Sequence, residues 1–275
     1  MFPLRLPVVL VGLLAAVRAV GQDVPGVTRP VREALLSAAA SGIVSRIAVR
    51  EGEAVTRGQT LIELDRRQEE LEVARRKLLW ENPAELRAAE ARRDTTRTDF
   101  EATRALFEST KSVSREELAR KQLEFELASA ELLRAQMNKE REKIEYDMAV
   151  EALERRTIRA PFDGRVTEIK IKEGEGCEVR QPLVGLADIR ELEFSANVEA
   201  RVLALFEIGR AVELLLDTGA AEMASQPATI SYVSPVVDRA SGLGALKATF
   251  TNDGERIRPG IPARLRIVPP PPSRP

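Results

Sequence analysis

The sequence contains no histidine and only one cysteine, Cys177. Histidine is the usual general base and the commonest zinc ligand, and a lone cysteine forms neither an intramolecular disulfide nor a paired redox motif. Aromatic residues make up only 4% of the chain, and 42 basic side chains balance 43 acidic ones to a net charge of −1. We therefore expect no catalytic residues, no bound metal or cofactor and no nucleic-acid partner.

The N-terminal segment has the pattern of an export signal. A positively charged start, Met1–Arg5, precedes an apolar run from Leu6 to Val17, and small residues follow at Ala19 and Gly21. This pattern predicts a signal peptide at residues 1–21 and therefore an exported protein. An uncleaved inner-membrane anchor is the alternative, although the run is shorter than the roughly 20 residues that span a bilayer. Residues 22–36 are expected to form a linker or strand.

Residues 66–156 are predicted to be helical. They contain no glycine, their only proline is Pro83, and 41 of the 91 side chains are charged. Apolar or small residues recur at seven-residue steps, which is the coiled-coil repeat. These residues are Leu79, Leu86, Phe100 and Phe107 in the first half and Leu118, Phe125, Leu132, Tyr146 and Leu153 in the second, with Ala128, Ala135 and Ala149 beside them and with Arg93 and Lys139 as polar exceptions.

The helical segment is predicted to fold back on itself. Ser114 and Glu117 form a capping-box pattern, so a second helix is expected to begin there, with the tip of an antiparallel hairpin at about 107–114. Asn82 before Pro83 predicts a kink, or a break at which Asn82 caps a new helix. Taken without its flanks, the heptad pattern also fits a dimeric rod.

The flanks of the hairpin repeat each other. Residues 42–64 match residues 164–186 at a constant offset of 122, with nine identities in 23 positions, including two glycines and four aliphatic residues. Each copy alternates apolar and polar residues around turns, as half-buried strands do. One half cannot cover its own apolar face, so we expect residues 37–65 and 157–189 to pack together around the hairpin base. Cys177, which matches Val55, is then a small buried residue.

The glycines of the repeat are predicted to form turns. Glycine adopts positive φ without the steric cost that other residues meet. We therefore assign turn roles to Gly42, Gly52, Gly58, Gly164 and Gly174.

The rest of the chain is predicted to be rich in β-structure. Residues 190–268 contain five strand-like stretches separated by turn-formers, with a short helix at about 200–206. Residues 269–275 are proline-rich and are expected to form an extended or disordered tail.

The chain resembles the periplasmic adaptor, or membrane fusion, proteins of the HlyD-like family. The resemblance is carried by Gly42–Asp65, by the return strand Arg159-Ala-Pro-Phe-Asp-Gly164 and by Pro259–Ile267. It implies an elongated, modular α+β fold. A long antiparallel coiled-coil hairpin is inserted between two halves of a lipoyl-like β-sandwich, and a small β-barrel follows. Lipoyl carriers modify a lysine where the hairpin stands here, but Asp65-Arg66-Arg67 supplies none, so a carrier role is disfavoured.

The resemblance also implies partners. Family members link an inner-membrane pump to an outer-membrane channel, and the hairpin tip docks against the channel through an Arg, a Leu and a Ser. The nearest matches here are Arg104, Leu106 or Phe107, and Ser114, although their spacing departs from the family pattern. A homo-oligomer is implied, and so is a location in the periplasm or cell envelope of a Gram-negative-type bacterium. Few residues follow the barrel, so the family's membrane-proximal fourth domain is not expected.

Several alternatives stay open at this point. The short hairpin and simple barrel favour a resistance-nodulation-division (RND) pump as the partner. An ATP-driven (ABC) exporter or a type I secretion system is second. From another class, a self-associating coiled-coil protein of the envelope is possible. At the tip, Ser114 has the simpler interpretation of a helix cap, and Leu106 and Phe107 that of packing residues.

Overall fold

The computed structural model describes residues 23–219 and 223–266, so the predicted signal segment and the proline-rich tail lie outside the described residues. The described residues divide into two compact units, of which one is Ala34–Ala187 and the other contains the described residues on either side of it. In chain order the elements are β1 (Val24–Ser37), β2 (Gly42–Ile47), β3 (Ala54–Val55), β4 (Thr60–Leu64), α1 (Arg67–Glu81), α2 (Ala84–Ser109), α3 (Arg115–Glu154), β5 (Thr157–Arg159), β6 (Gly164–Ile169), β7 (Gly176–Cys177), β8 (Pro182–Glu199), α4 (Ala200–Leu203), β9 (Ala211–Leu216), β10 (Ala224–Val233), β11 (Leu243–Thr251), a 3-10 turn (Asp253–Glu255) and β12 (Pro262–Arg266).

Residues 34–187 form a β-sandwich from which the helices project. In one sheet β5, β4, β2 and β7 are neighbours in that order, and β6 lies between β3 and β8 in the other. The two halves of the repeat exchange main-chain hydrogen bonds. The Gly174 amide donates to the Val44 carbonyl at 2.8 Å, and the Gly52 amide donates to the Val166 carbonyl at 2.8 Å. Because each pair maps onto the other at the offset of 122, the two halves are related by a local twofold.

Side chains of the repeat obey the same symmetry. The Ile47 amide donates to Glu173 Oε1 at 2.7 Å, and the Ile169 amide donates to Glu51 Oε1 at 2.8 Å. Each glutamate therefore bonds the other half of the sandwich, which explains why both copies keep it. Below these bonds lies one shared core with contributions from both halves, in which Cys177 is buried at the position that matches Val55.

Three of the five predicted turn glycines have positive φ. Gly52, Gly58 and Gly174 lie at φ between 82° and 86°, whereas Gly42 and Gly164 begin strands β2 and β6. The turn assignment is therefore wrong for these two. At Gly42 the absent side chain still matters, because a Cβ would come within 2.7 Å of Nη1 of Arg156.

The hairpin consists of three helices, since a break separates α1 from α2. Asn82 Oδ1 accepts a hydrogen bond from the Ala84 amide at 3.1 Å, so the asparagine caps the new helix at Pro83 as the sequence suggests. Lys139 of α3 crosses to the end of α1 and donates from Nζ to the carbonyls of Leu79 and Trp80, at 2.9 and 3.2 Å. A helix leaves its last carbonyls without partners, and a cation satisfies them well. The polar exception at Lys139 is thus a cap for the neighbouring helix.

The contact between the arms follows the predicted heptads with one correction. Ala89, Ala128, Leu132, Ala135 and Ala149 are buried along the seam. Phe100 stacks on Phe125 at 6.0 Å, and Trp80 stacks on Tyr146 at 5.2 Å. Leu79, which the pattern placed in the seam, is instead 46% exposed, because the break at Asn82 shifts the helical phase and Trp80 takes the inward position.

The second unit is built around strands β9–β12 together with residues 188–199 of β8. Its core contains Phe194, Leu214, Leu216, Ile230, Leu246 and Leu265 among other buried residues. Asn252 is 3% exposed; its Nδ2 donates to the carbonyls of Ile189 and Ile257, and its Oδ1 accepts from the Ile257 amide. This side chain joins β8 to the loop that follows β11, which explains why an asparagine stands there.

The repeat predicts a stabilising substitution. Arg180 has φ +68° at the position that matches Gly58, whose φ is +83° and whose Cβ would meet nothing within 4 Å. Because positive φ costs a non-glycine residue about 1–2 kcal/mol, partly offset by the flexibility that glycine adds to the unfolded chain, we expect Arg180→Gly to raise the free energy of unfolding by roughly 0.5–1 kcal/mol. Gly58→Ala should lower it by a similar amount. Urea unfolding followed by fluorescence of Trp80, the only tryptophan, measures both; equal values for the wild type and Arg180→Gly would contradict the prediction.

The cap by Lys139 predicts a second effect. Lys139→Met removes the donor to two helix-end carbonyls and should lower the free energy of unfolding by about 1–2 kcal/mol. Lys143→Met, one turn along α3 at an exposed site, is the matched control and should change it by less than about 0.5 kcal/mol. Urea unfolding at the Trp80 fluorescence band measures both, and equal losses in the two variants would exclude the cap.

Candidate docking site at the hairpin tip

The tip of the hairpin is a five-residue turn between α2 and α3. The Thr110 amide donates to the Leu106 carbonyl at 3.0 Å and ends α2, after which Lys111 reverses the chain at φ +52°. Ser114 then opens α3, because its hydroxyl oxygen accepts from the Glu117 amide at 3.1 Å. The predicted start of the second helix is therefore formed by a serine cap.

The capping box is only half formed. In a complete box the glutamate reaches back to the capping residue, but the Glu117 carboxylate instead accepts two hydrogen bonds from Nη2 of Arg120. These bonds from Arg120 are the main cause that lowers the pKa of Glu117. Glu116, the other acidic residue in the first turn of α3, also lies beside the cap. Its own backbone amide, and after it the Ser114 hydroxyl, lower the pKa of the Glu116 carboxyl.

The predicted docking arginine is engaged within its own helix. Arg104 Nε donates to Glu108 Oε1 at 2.8 Å, and this bond raises the pKa of the Arg104 guanidinium. Both groups are exposed, so the pair adds little to stability. Near the tip, the charges of Arg104 and Glu108 therefore compensate each other at the end of α2.

The hydroxyl groups of the tip bond locally as well. Ser109 Oγ donates to the Ala105 carbonyl at 2.7 Å, Thr110 Oγ1 donates to the Leu106 carbonyl at 2.9 Å, and Thr110 and Ser112 hydroxyls lie 2.7 Å apart. The sequence analysis did not single out Thr110 or Ser112. Their signal is a run of hydroxyl residues directly after a helix end, which is typical of a capped turn.

The apolar side chains of the tip divide into inner and outer ones. Phe107 and Val113 are half-buried, whereas Leu106 is 49% exposed. Phe107 continues the register of Phe100, so it belongs to the seam between the arms. The structure therefore gathers Arg104, Leu106, Phe107 and Ser114 at one end of the hairpin, and Leu106 is the apolar one of these that faces solvent.

The base of the hairpin carries contacts that the sequence analysis missed. Arg156, at the end of α3, pairs with Glu69 of α1 and donates from Nη1 to the Ser41 carbonyl at 2.7 Å. It thereby ties both arms to the sandwich. No local sequence pattern predicts these contacts of Arg156, because its partners lie 87 and 115 positions away in sequence.

The described part of the chain offers no metal or membrane-crossing element. Among residues 23–219 and 223–266, no group of three or more His, Cys, Asp or Glu side chains is arranged to hold a metal ion. Within the same ranges no helix is both long and apolar enough to cross a membrane.

Comparison with known families identifies the chain. Residues 32–188 match the model of the CzcB-like barrel-sandwich hybrid domain. The chain belongs to this family. The match spans both halves of the repeat and the hairpin between them, and it confirms the resemblance to membrane fusion proteins.

Related sequences agree with this assignment. The chain is 30% identical over 246 residues to an uncharacterized protein of Haemophilus influenzae, a match covering 88% of this chain and 56% of the relative. It is 24% identical over 221 residues to the cobalt-zinc-cadmium resistance protein CzcB of Cupriavidus metallidurans, covering 80% of this chain and 39% of the relative. The chain thus spans about half or less of the length of these curated relatives.

Solved structures confirm the fold class. The crystal structure of MacA from Actinobacillus actinomycetemcomitans matches with a TM-score of 0.69 at 19% identity, over 90% of this chain and 78% of that one. The membrane fusion protein Spr0693 from Streptococcus pneumoniae matches with a TM-score of 0.58 at 14% identity, over 89% and 97%. The predicted fold, with a helical hairpin, a lipoyl-like sandwich and a small barrel, is therefore confirmed.

The cap at Ser114 predicts the stability of the tip. Ser114→Ala removes the acceptor for the Glu117 amide and should cost about 1 kcal/mol, while Ser114→Asp keeps an acceptor and should stay within a few tenths of a kcal/mol of the wild type. Amide hydrogen exchange of residues 115–118 measures the opening of this turn. If the alanine and aspartate variants exchanged at the same rate, the serine would not act as a cap.

Proposed function

We propose that the protein is a non-enzymatic periplasmic adaptor that links an inner-membrane efflux pump to an outer-membrane channel through its hairpin tip. The observation that carries this proposal is the exposed Leu106 at the end of a hairpin whose base is tied to the sandwich by Arg156. A fixed base and a small apolar end suit a connector, because short side chains insert between partner helices while the charged arms stay in water.

The electrostatics of the tip support docking to a protein. Arg104 is paired with Glu108, and Glu117 with Arg120, so burying the tip does not expose the partner to single uncompensated charges at these positions. Unpaired charges are costly to bury in an interface. In this proposal Ser114 acts as the helix cap and Leu106 as the apolar contact, with Arg104 and Phe107 supporting it.

The sides of the hairpin support assembly into a homo-oligomer. Leu71, Leu78, Leu127 and Leu133 are between 59% and 73% exposed on helices that are otherwise strongly charged. We expect several copies to stand side by side, with these leucines at their contacts. A rod made only by self-association is disfavoured, because the two arms of one chain already pair with each other. One such contact is the ion pair between Arg92 of α2 and Glu131 of α3 at 2.9 Å.

The pump is expected to determine the cargo. An RND pump is our first choice as partner, since the hairpin is short and the barrel simple, and an ABC exporter or type I secretion system is second. The relative CzcB is a cobalt-zinc-cadmium resistance protein, which makes divalent cations the first cargo to test. This chain has no histidine and a single buried cysteine, so soft-metal selection would rest on the pump.

The docking proposal makes a direct prediction for Leu106. Leu106→Glu places a charge in the proposed contact and should reduce resistance to that of the deletion strain, while Leu106→Met keeps an apolar side chain and should retain resistance. The measurement is growth of the complemented deletion strain on cobalt, zinc, cadmium and a panel of drugs. A photo-cross-linker at position 106 should in addition capture an outer-membrane protein. Full resistance of Leu106→Glu, together with no captured protein, would refute docking through this residue.

A further inference from the structure

The base of the hairpin forms a cleft that the adaptor role does not use. It lies wholly within the unit Ala34–Ala187, has a volume of about 710 Å³, and is bounded by residues 39–41, by the last turns of α3 and by the turn before β8. Clefts of about 300–1,000 Å³ are the usual size for sites that hold drug-sized molecules.

The lining of this cleft is mainly apolar. Ile144 and Met148 of α3 are 52% and 67% exposed, and Val179 from the turn before β8 is 55% exposed. These three side chains come from two segments far apart in sequence and line one concave surface, with Ala152 beside them. A methionine thioether is flexible and polarizable, so it adapts to ligands of different shape.

The charge of the cleft is unbalanced at one residue. Of its three carboxylates, Glu69 is paired with Arg156, and Glu151 Oε1 accepts from Arg155 Nε at 3.2 Å. Asp147 has no ion-pair or hydrogen-bond partner among the contacts of the described ranges 23–219 and 223–266, and it lines the same wall as Met148. The cleft therefore presents one uncompensated negative charge beside an apolar surface.

The walls of the cleft are held in place without a ligand. Arg156 bonds both Glu69 and the Ser41 carbonyl, which fixes the segment 39–41 against the helices. The neighbouring Ala38 exchanges two main-chain bonds with the turn at residues 180–181, at 2.9 and 3.0 Å. A ligand that enters a preformed site loses less free energy to ordering the protein.

We propose that this cleft binds a small lipophilic organic cation with a single positive charge. Asp147 pairs with the charge, and Ile144, Met148 and Val179 cover the apolar part. Binding here requires neither a pump nor a channel, so this inference goes beyond the adaptor function and can fail independently of it.

The test uses purified full-length protein and rhodamine 6G, a fluorescent lipophilic cation, titrated by fluorescence polarization. We expect saturable binding that weakens about tenfold in Asp147→Asn and by more in Met148→Lys, because one loses the charge partner and the other adds a repelling charge. Met137→Lys is the matched control: Met137 is also an exposed methionine of α3, at 63%, but it does not line the cleft, so its affinity should equal that of the wild type. Nile red, a neutral dye, should bind without sensitivity to Asp147→Asn.

Three results would overturn the proposal. The first is no saturable binding of rhodamine 6G to the wild type, and the second is equal loss of affinity in Met148→Lys and Met137→Lys. The third is unchanged affinity in both cleft variants, with a lower sedimentation coefficient for Met148→Lys alone, which would assign the cleft to a contact between copies of the chain. Far-UV circular dichroism of each variant verifies that the hairpin is intact.

Discussion

The exchange of main-chain hydrogen bonds between the two halves of the repeat is the constraint on which the hairpin depends. The bonds between Val44 and Gly174, and between Val166 and Gly52, each join a strand of one half to a turn of the other half more than 100 residues away in sequence. The ends of the 91-residue helical insertion are thereby fixed at both sides. Because closing so long a loop is entropically unfavourable, the shared core must form for the helices to have a common base. The helical arms then pack against each other along their seam, and the position of the tip is set by the scaffold at the base.

Much of this arrangement could be predicted from the sequence because its signals are periodic. The offset of 122 indicated two paired halves, and it extends to side chains such as Glu51 and Glu173, whose bonds the structure shows to be equivalent. The heptads indicated the seam. They misplaced Leu79, since a heptad pattern carries no information about the change of phase at the Asn82 break. The polar exception at Lys139 was visible in the sequence, but its role as a cap for another helix depends on contacts about 60 residues away.

The candidate site was less predictable for the same reason. A family pattern pointed to Arg104, Leu106, Phe107 and Ser114, yet it is silent on which of these are already used within the chain. The structure separates them by their contacts. Arg104 is paired with Glu108, Ser114 caps α3 and Phe107 is half-buried. Leu106 remains 49% exposed. Local bonds therefore decide which side chain remains available to another protein. The cleft near Asp147 had no signal in the sequence at all, because its walls come from segments that only the fold brings together.

Departures from the local twofold show where the two halves have different tasks. After the first half the chain enters α1, and after the second it continues along β8 toward the barrel. The turn at Gly58 is relaxed, whereas the matching turn keeps Arg180 at positive φ, although glycine would adopt this conformation more easily. Val179, beside this arginine, lines the cleft at the hairpin base. Residues 39–41 of the first half line the same cleft, so both halves border it, and of the two matching turns only the one at Arg180 carries the strain. The surrounding contacts hold Arg180 in this conformation despite the cost, because its amide donates to the Ala38 carbonyl at 2.9 Å and the Ala38 amide donates to the Gln181 carbonyl at 3.0 Å.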